Sequence, residues 1–260
     1  MRRTWCIPVA TLAIAGSTLL ATSAAVASSV APTAGHVMVQ PGGLAKNLSK
    51  PFAANGKDQT VSSSNWSGYA ATGKFTSVSA SWVQPKGTCT KSGIQYSSFW
   101  VGIDGYNSNS VEQTGSEVDC HGTTPKYYAW YEMFPKFPVN FGSAVKPGDH
   151  FTGSVTFNGG GKFTLKLSDT TQHWTHTEHK TLASAKRSSA EVIVEAPSSS
   201  SGVLPLADFG KINVTASKVN GSNIGSHNAI KIIMKSGSTT KDTVSNLSGG
   251  ANFSATWKHS

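Results

Sequence analysis

Alternation with a period of two residues constrains this chain more than any other feature. From about Ser64 onward, short runs of alternating apolar and polar or aromatic residues follow one another, separated by Gly-, Asn-, Pro- and Ser-rich breaks. That period belongs to pleated strands with one face buried. The runs fall near 65–71, 75–83, 95–103, 110–116, 126–134, 150–157, 162–168, 171–180, 190–195, 211–219, 229–235 and 251–257. No long stretch holds a helical period, and no internal repeat is evident. Asn158-Gly159-Gly160-Gly161 predicts a hairpin loop, and residues 146–149 and 219–222 predict further turns. A dozen short strands with turn-rich connections predict an all-β fold, a sandwich or a barrel with antiparallel pairing.

The same parity sorts side chains onto faces. Residues i and i+2 share one side of a strand, so Phe99, Val101 and Ile103 point one way while Trp100 and Asp104 point the other. Trp130 shares a face with Glu132. Glu191, Ile193 and Glu195 share another, with Val192 and Val194 behind them. If the valine-rich faces form the core, the opposite faces form a wall of tryptophans and carboxylates. Such a wall suits the gripping of a polymer better than simple solvation. Trp66 and Trp82 are assigned to the core.

Ahead of the strands lie two segments of different character. Arg2 and Arg3 precede an apolar run from Ile7 to Leu20, and Ala25-Val26-Ala27 supplies small residues for cleavage. Residues 1–27 therefore read as a secretory signal, and export to the extracellular space is expected. The run is too short, and too interrupted by Gly16, Ser17 and Thr18, for a membrane anchor. Residues 28–60 are rich in Pro, Gly, Ala and Ser, with Lys46, Lys50 and Lys57 against Asp58 alone. They suit either a disordered linker or a basic propeptide that covers an acidic cleft in a zymogen, and composition does not separate the two. Residues 61–260 make the sandwich domain. The net charge of +9 falls to +5 without residues 1–60, with 17 basic residues against 12 acidic. The remaining basic residues are scattered rather than interleaved with aromatics, which argues against a nucleic-acid partner. Cys6 lies in the signal, so Cys89 and Cys120 are left to pair in an exported domain.

Five motifs then carry a resemblance. Ser64-Asn65-Trp66-Ser67-Gly68, Trp100-Val101-Gly102-Ile103-Asp104-Gly105, Gln113-Thr114-Gly115, Trp130-Tyr131-Glu132 and Ala190-Glu191-Val192-Ile193-Val194-Glu195 occur in that order. In order and spacing the chain resembles the glutamic endopeptidases called eqolisins, from about Ser64 to the C-terminus. The resemblance implies an antiparallel two-sheet β-sandwich, of the jelly-roll or concanavalin-like kind, whose concave face carries a glutamine–glutamate dyad, here Gln113 and Glu195. It also implies resistance to pepstatin. Asp104 and Glu132 are expected near the dyad, where like charges in a partly dry cleft keep some carboxyls protonated. Trp100 and Trp130 are expected to line substrate subsites. The chain departs from fungal members in carrying Tyr128 where they tend to have Asp. Its mature domain is also basic where theirs are acidic, which weighs against an extreme acid optimum.

The two residue types suit peptide hydrolysis. A carboxylate can take a proton from water and return it to the leaving amine. A glutamine amide can orient that water through its oxygen and stabilise the oxyanion through its NH2. No cofactor or metal is expected, the partners are unfolded proteins or peptides, and a monomer is expected. His173, His176 and His179 invite a metal reading, but on a strand His176 faces away from the other two. The alternative function is a jelly-roll glycosidase or a non-catalytic carbohydrate-binding module. Glu117-Val118-Asp119 starts like a glucanase strand, but Gly122 stands where its final carboxylate belongs. Asn65, Asn213 and Asn246 head glycosylation sequons, usable only in a host with that machinery.

Overall fold

The computed structural model describes residues 44–49, 59–90 and 92–260. The expected signal, residues 1–27, lies outside the described residues. Of the expected linker or propeptide, only residues 44–49, 59 and 60 fall within them.

Apart from one 3-10 turn, every regular element among the described residues is a strand. In order the strands are β1 (Thr60–Ser63), β2 (Trp66–Thr72), β3 (Ser77–Val83), β4 (Ile94–Ile103), β5 (Val111–His121), β6 (Thr124–Phe134) and β7 (Val139–Asn140). Then come β8 (His150–Gly159), β9 (Lys162–Asp169), β10 (Trp174–Thr181), β11 (Ser189–Glu195), β12 (Ser198–Ser199) and β13 (Gly202–Val203). The last are β14 (Lys211–Val219), β15 (Ser222–Asn223), β16 (Ile230–Ser236), β17 (Thr239–Thr240), β18 (Asp242–Val244) and β19 (Phe253–Trp257), with one 3-10 turn at Ile224–His227. Each expected run holds a strand. The two- to four-residue strands were not foreseen, since segments so short carry too few alternations to register. No helix among the described residues is long and apolar enough to cross a membrane.

Two sheets carry the architecture. The first has nine strands in the order β1-β16-β2-β11-β4-β5-β6-β7, with β17 attached to β16. The second has eight, in the order β10-β9-β8-β3-β14-β19-β18, with β15 attached to β14. Pairing is antiparallel with one departure: β1 runs parallel to β16, Val61 opposite Ile232. The Gly-rich loop makes the expected hairpin between β8 and β9. Cys89 and Cys120 form a disulfide.

The core follows the parity argument. Phe99, Val101, Ile103, Val192 and Val194 of the first sheet pack with Trp82, Phe151, Val155, Phe163, Leu165, Leu167, Val214 and Phe253 of the second. Trp82 is the core residue expected of it, stacked on Phe151 and donating its indole N–H to Ser116 Oγ at 2.8 Å. Trp66 is buried too, but elsewhere. It belongs to a second apolar cluster with Trp100, Trp130, Val111, Ile193, Ile230 and Ile232, on the opposite face of the nine-stranded sheet. Pleat parity explains this, because Trp66 lies opposite Glu195, not opposite a valine.

Candidate active site

Strand register assembles that outer face row by row. In one row Glu191 of β11, Gly102 of β4, Gln113 of β5 and Glu132 of β6 lie side by side. In the next stand Ile193, Trp100, Gly115 and Trp130. In the third are Trp66, Glu195, Ser98, Glu117 and Tyr128. Directly paired residues of an antiparallel ladder project to the same side, so all three rows share one face. Gln113 and Glu195 therefore stand diagonally across Trp100.

The Trp100 indole links the two. Its N–H donates to Glu195 Oε2 at 2.9 Å. Its six-membered ring leans the other way over Gly102, where a Cβ would come within 2.8 Å of Trp100 Cζ3 and 3.2 Å of Gln113 Cβ. Gly115 is constrained as tightly, since a Cβ there would fall 2.3 Å from the Phe99 carbonyl oxygen and 2.6 Å from Trp100 Cβ. Two glycines thus make room for one tryptophan in a close-packed floor. Trp66 meets Trp100 edge-on, with ring centroids 4.9 Å apart.

Glu195 is fully buried, and a second donor fixes its other oxygen: Asn65 Nδ2 donates to Oε1 at 3.2 Å. Two N–H donors hold that carboxyl group in one orientation. Gln113 donates from Nε2 to Glu132 Oε2 at 2.6 Å, which joins those two expected residues. Trp130 sits beside Gly115 within the tryptophan cluster.

Asp104 supports a turn at the end of the strand that carries Trp100. It closes β4 with φ at 72°, and its carboxylate accepts the backbone N–H groups of Arg187 at 2.6 Å and Ser188 at 2.8 Å. It anchors the link from β10 into β11. Its charge also reaches the carboxyls around it. Glu112 is pushed up to about 8, first by burial and then by Asp104. Burial raises Glu191 well above the usual carboxyl range, with Asp104 and Glu112 adding to it. At the far end of the face burial lifts Glu117 to about 7, and burial plus Glu117 raise Asp119 further. Tyr128 beside them is pushed up to about 12 by burial and by those two carboxylates.

Two buried residues were not among the expected site residues, Asn65 and Glu191, although parity had already set Glu191 on the face of Glu195. Both lay inside quoted motifs, but Asn65 was singled out only as a sequon. Its complete burial closes that sequon in the folded chain, while Asn213 and Asn246 remain exposed. His176 stacks on Phe141 at 4.4 Å and bonds Ser143, whereas His179 faces the other way to Thr164. Among the described residues no three His, Cys, Asp or Glu side chains gather as a metal site.

The fold is thus an antiparallel sandwich with a tryptophan floor and buried carboxyls on one outer face. A profile of the Peptidase A4 family matches residues 64–257, and the chain belongs to that family, the eqolisins. Aspergillopepsin-2 of Aspergillus niger is 28% identical over 216 residues, 73% of this chain and 77% of that protein. Scytalido-glutamic peptidase, solved with a transition state analog inhibitor, superposes with a TM-score of 0.66 at 25% identity, covering 75% of this chain and 98% of its own. SCP-B, an eqolisin in complex with the tripeptide Ala-Ile-His, superposes with a TM-score of 0.62 at 24% identity over 75% of this chain and 98% of its own, and shares the fold. The protein is accordingly a peptide hydrolase of the glutamic peptidase class.

Proposed function

We propose that this glutamic peptidase is a secreted endopeptidase that cleaves unfolded or loosely structured protein in acidic surroundings, with Glu195 and Gln113 as its catalytic pair. The observation that carries the assignment is the buried Glu195 carboxylate, aimed by Trp100 and Asn65 across the indole from Gln113. Glu195 takes a proton from the attacking water and returns it to the leaving amine. Gln113 stabilises the oxyanion through its amide, which Glu132 orients through a 2.6 Å hydrogen bond. Glu starts near pKa 4.3 in water, so a carboxylate base suits acid medium.

The disulfide is consistent with export through an oxidising compartment. The reading of residues 28–60 as a propeptide draws support from residues 44–49, whose Ala45 and Leu48 pack against the Trp66–Trp100 cluster. The carbohydrate alternative keeps no observation in its favour once the family is known.

The test is digestion of an unfolded protein across pH 2–7 by enzyme matured from the full chain, with Glu195→Gln and Gln113→Ala alongside. Glu195→Gln is expected to lose about 10²–10⁴-fold in rate, and Gln113→Ala about 10²–10³-fold. Chelator and pepstatin should have no effect. Wild-type digestion by folded Glu195→Gln would sink the assignment.

A further inference from the structure

Residues 44–49 lie against the active-site face; one side chain holds the stretch from Leu44 to Lys46 by its main chain, and Asn47, at φ 52°, bends the segment after it. Asn65 Nδ2 donates to the Leu44 carbonyl at 3.1 Å, and Asn65 Oδ1 accepts the Lys46 N–H at 2.7 Å. Neighbouring backbone completes the grip: Ala45 N–H donates to Gly105 O at 3.2 Å, and Ser64 N–H donates to Lys46 O at 2.9 Å. In a parallel ladder, the C=O of one residue accepts from residue j+1 of its neighbour while the N–H of the same residue donates to residue j−1. The Asn65 amide reproduces that pattern around Ala45. A side-chain amide that takes the place of a strand recognises an extended main chain without regard to its side chains.

The second hydrogen of the same Nδ2 goes to Glu195 Oε1 at 3.2 Å. Both donors of this amide group are thus committed, one to the bound peptide and one to the buried carboxylate. Its oxygen is held by Lys46 N–H and by the Ser63 hydroxyl at 3.0 Å. That set fixes which way the amide faces: a flipped amide would set its oxygen against the Leu44 carbonyl and the Glu195 carboxylate.

We propose that Asn65 is a positioning residue of this peptidase. It clamps the main chain of an extended substrate that replaces residues 44–49, and with the same amide group it sets the Glu195 carboxylate toward that substrate. The role at Glu195 rests on the catalytic reading given above; the main-chain clamp does not. Occupancy of the clamp and alignment of the base are then one event, so a peptide that cannot offer a backbone N–H at the clamp binds weakly and turns over slowly.

The experiment uses enzyme matured at acid pH from the full chain and the hexapeptide Leu-Ala-Lys-Asn-Leu-Ser, the sequence of residues 44–49, as a competitor of peptide hydrolysis. N-methylation at its Lys is expected to weaken inhibition of wild type about tenfold or more, from the loss of one hydrogen bond in a buried site. N-methylation at its second Leu should weaken it far less. In Asn65→Ala the Lys N-methyl penalty should disappear, KM should rise and kcat should fall. Asn65→Asp sets a second carboxylate against Glu195, so the acid limb of kcat should move to higher pH by about one unit. Absence of hexapeptide inhibition, or equal cost of N-methylation at the two positions in wild type, would overturn the clamp without recourse to any variant. An unshifted acid limb in folded Asn65→Asp would overturn the link to Glu195. A Glu195→Gln enzyme that stays active would remove the catalytic reading, yet the two N-methyl peptides would still decide the clamp.

Discussion

The two sheets present outer faces of opposite character, although the same pleat builds both. On the eight-stranded sheet Lys162, Lys166, Thr175, Thr177 and His179 stand exposed, and polar pairs such as Ser81–Thr152 meet water. On the nine-stranded sheet Trp66, Trp100 and Trp130 are completely buried, as are Gln113, Glu132, Glu191 and Glu195. A polar residue on the first face is solvated and interchangeable. On the second it must find a partner or give up its charge, because burying an uncompensated carboxylate is costly. The strong hydrogen bonds and the raised carboxyl pKa values both follow from that burial.

Three measurements would break or sharpen the contrast. The largest effect is expected from Trp100→Phe, which keeps the ring and removes the donor to Glu195 Oε2. A hydrogen bond to a charged group contributes about 1.5–3 kcal/mol, so kcat should drop about tenfold or more. An unchanged kcat would mean that Glu195 needs no alignment from the indole.

The second concerns pH. The folded-state pKa of Glu112 lies near 8 and that of Glu117 near 7, both above their ordinary carboxyl values. The folded chain therefore holds protons that the unfolded chain has released. The stability these groups contribute is complete below about pH 4.5, and it is lost as pH rises toward 8. The melting temperature should be about 5 °C or more lower at pH 8 than at pH 4.5. Glu112→Gln should flatten that slope, since its amide cannot ionise. A melting temperature that climbs from pH 5 to pH 8 would contradict this account.

The smallest effect belongs to the wet face. Thr177→Val, on exposed β10, should shift the melting temperature by no more than about 2 °C and leave peptide hydrolysis unaltered. A large loss there would show that both outer faces carry function.

Most of the fold was legible in the chain itself, as was the face on which Gln113, Glu132 and Glu195 stand. Parity alone separated Val101 from Trp100 and Val192 from Glu191, because the pleat is a property of consecutive residues. The cysteines paired as their export context suggested. At Asp104 parity does not say where the carboxylate goes, since a turn at φ 72° leaves the strand geometry on which parity depends. Trp66 is buried as expected, but which of the two apolar clusters it joins depends on the strands beside it.

What the sequence by itself determined was the local order: where strands run, which residues share a face, and which residue types stand ready for hydrolysis. The order of strands across the sheet was decided by the tertiary structure. It set β11 beside β4, so that Glu195 meets Trp100 from 95 residues away and Asn65 from 130. Burial was decided there as well, and burial turned Glu112 and Glu191 from ordinary acids into groups that hold their protons. The reason is physical: periodicity is written between neighbours in the chain, whereas desolvation and non-local hydrogen bonds exist only after distant segments have packed.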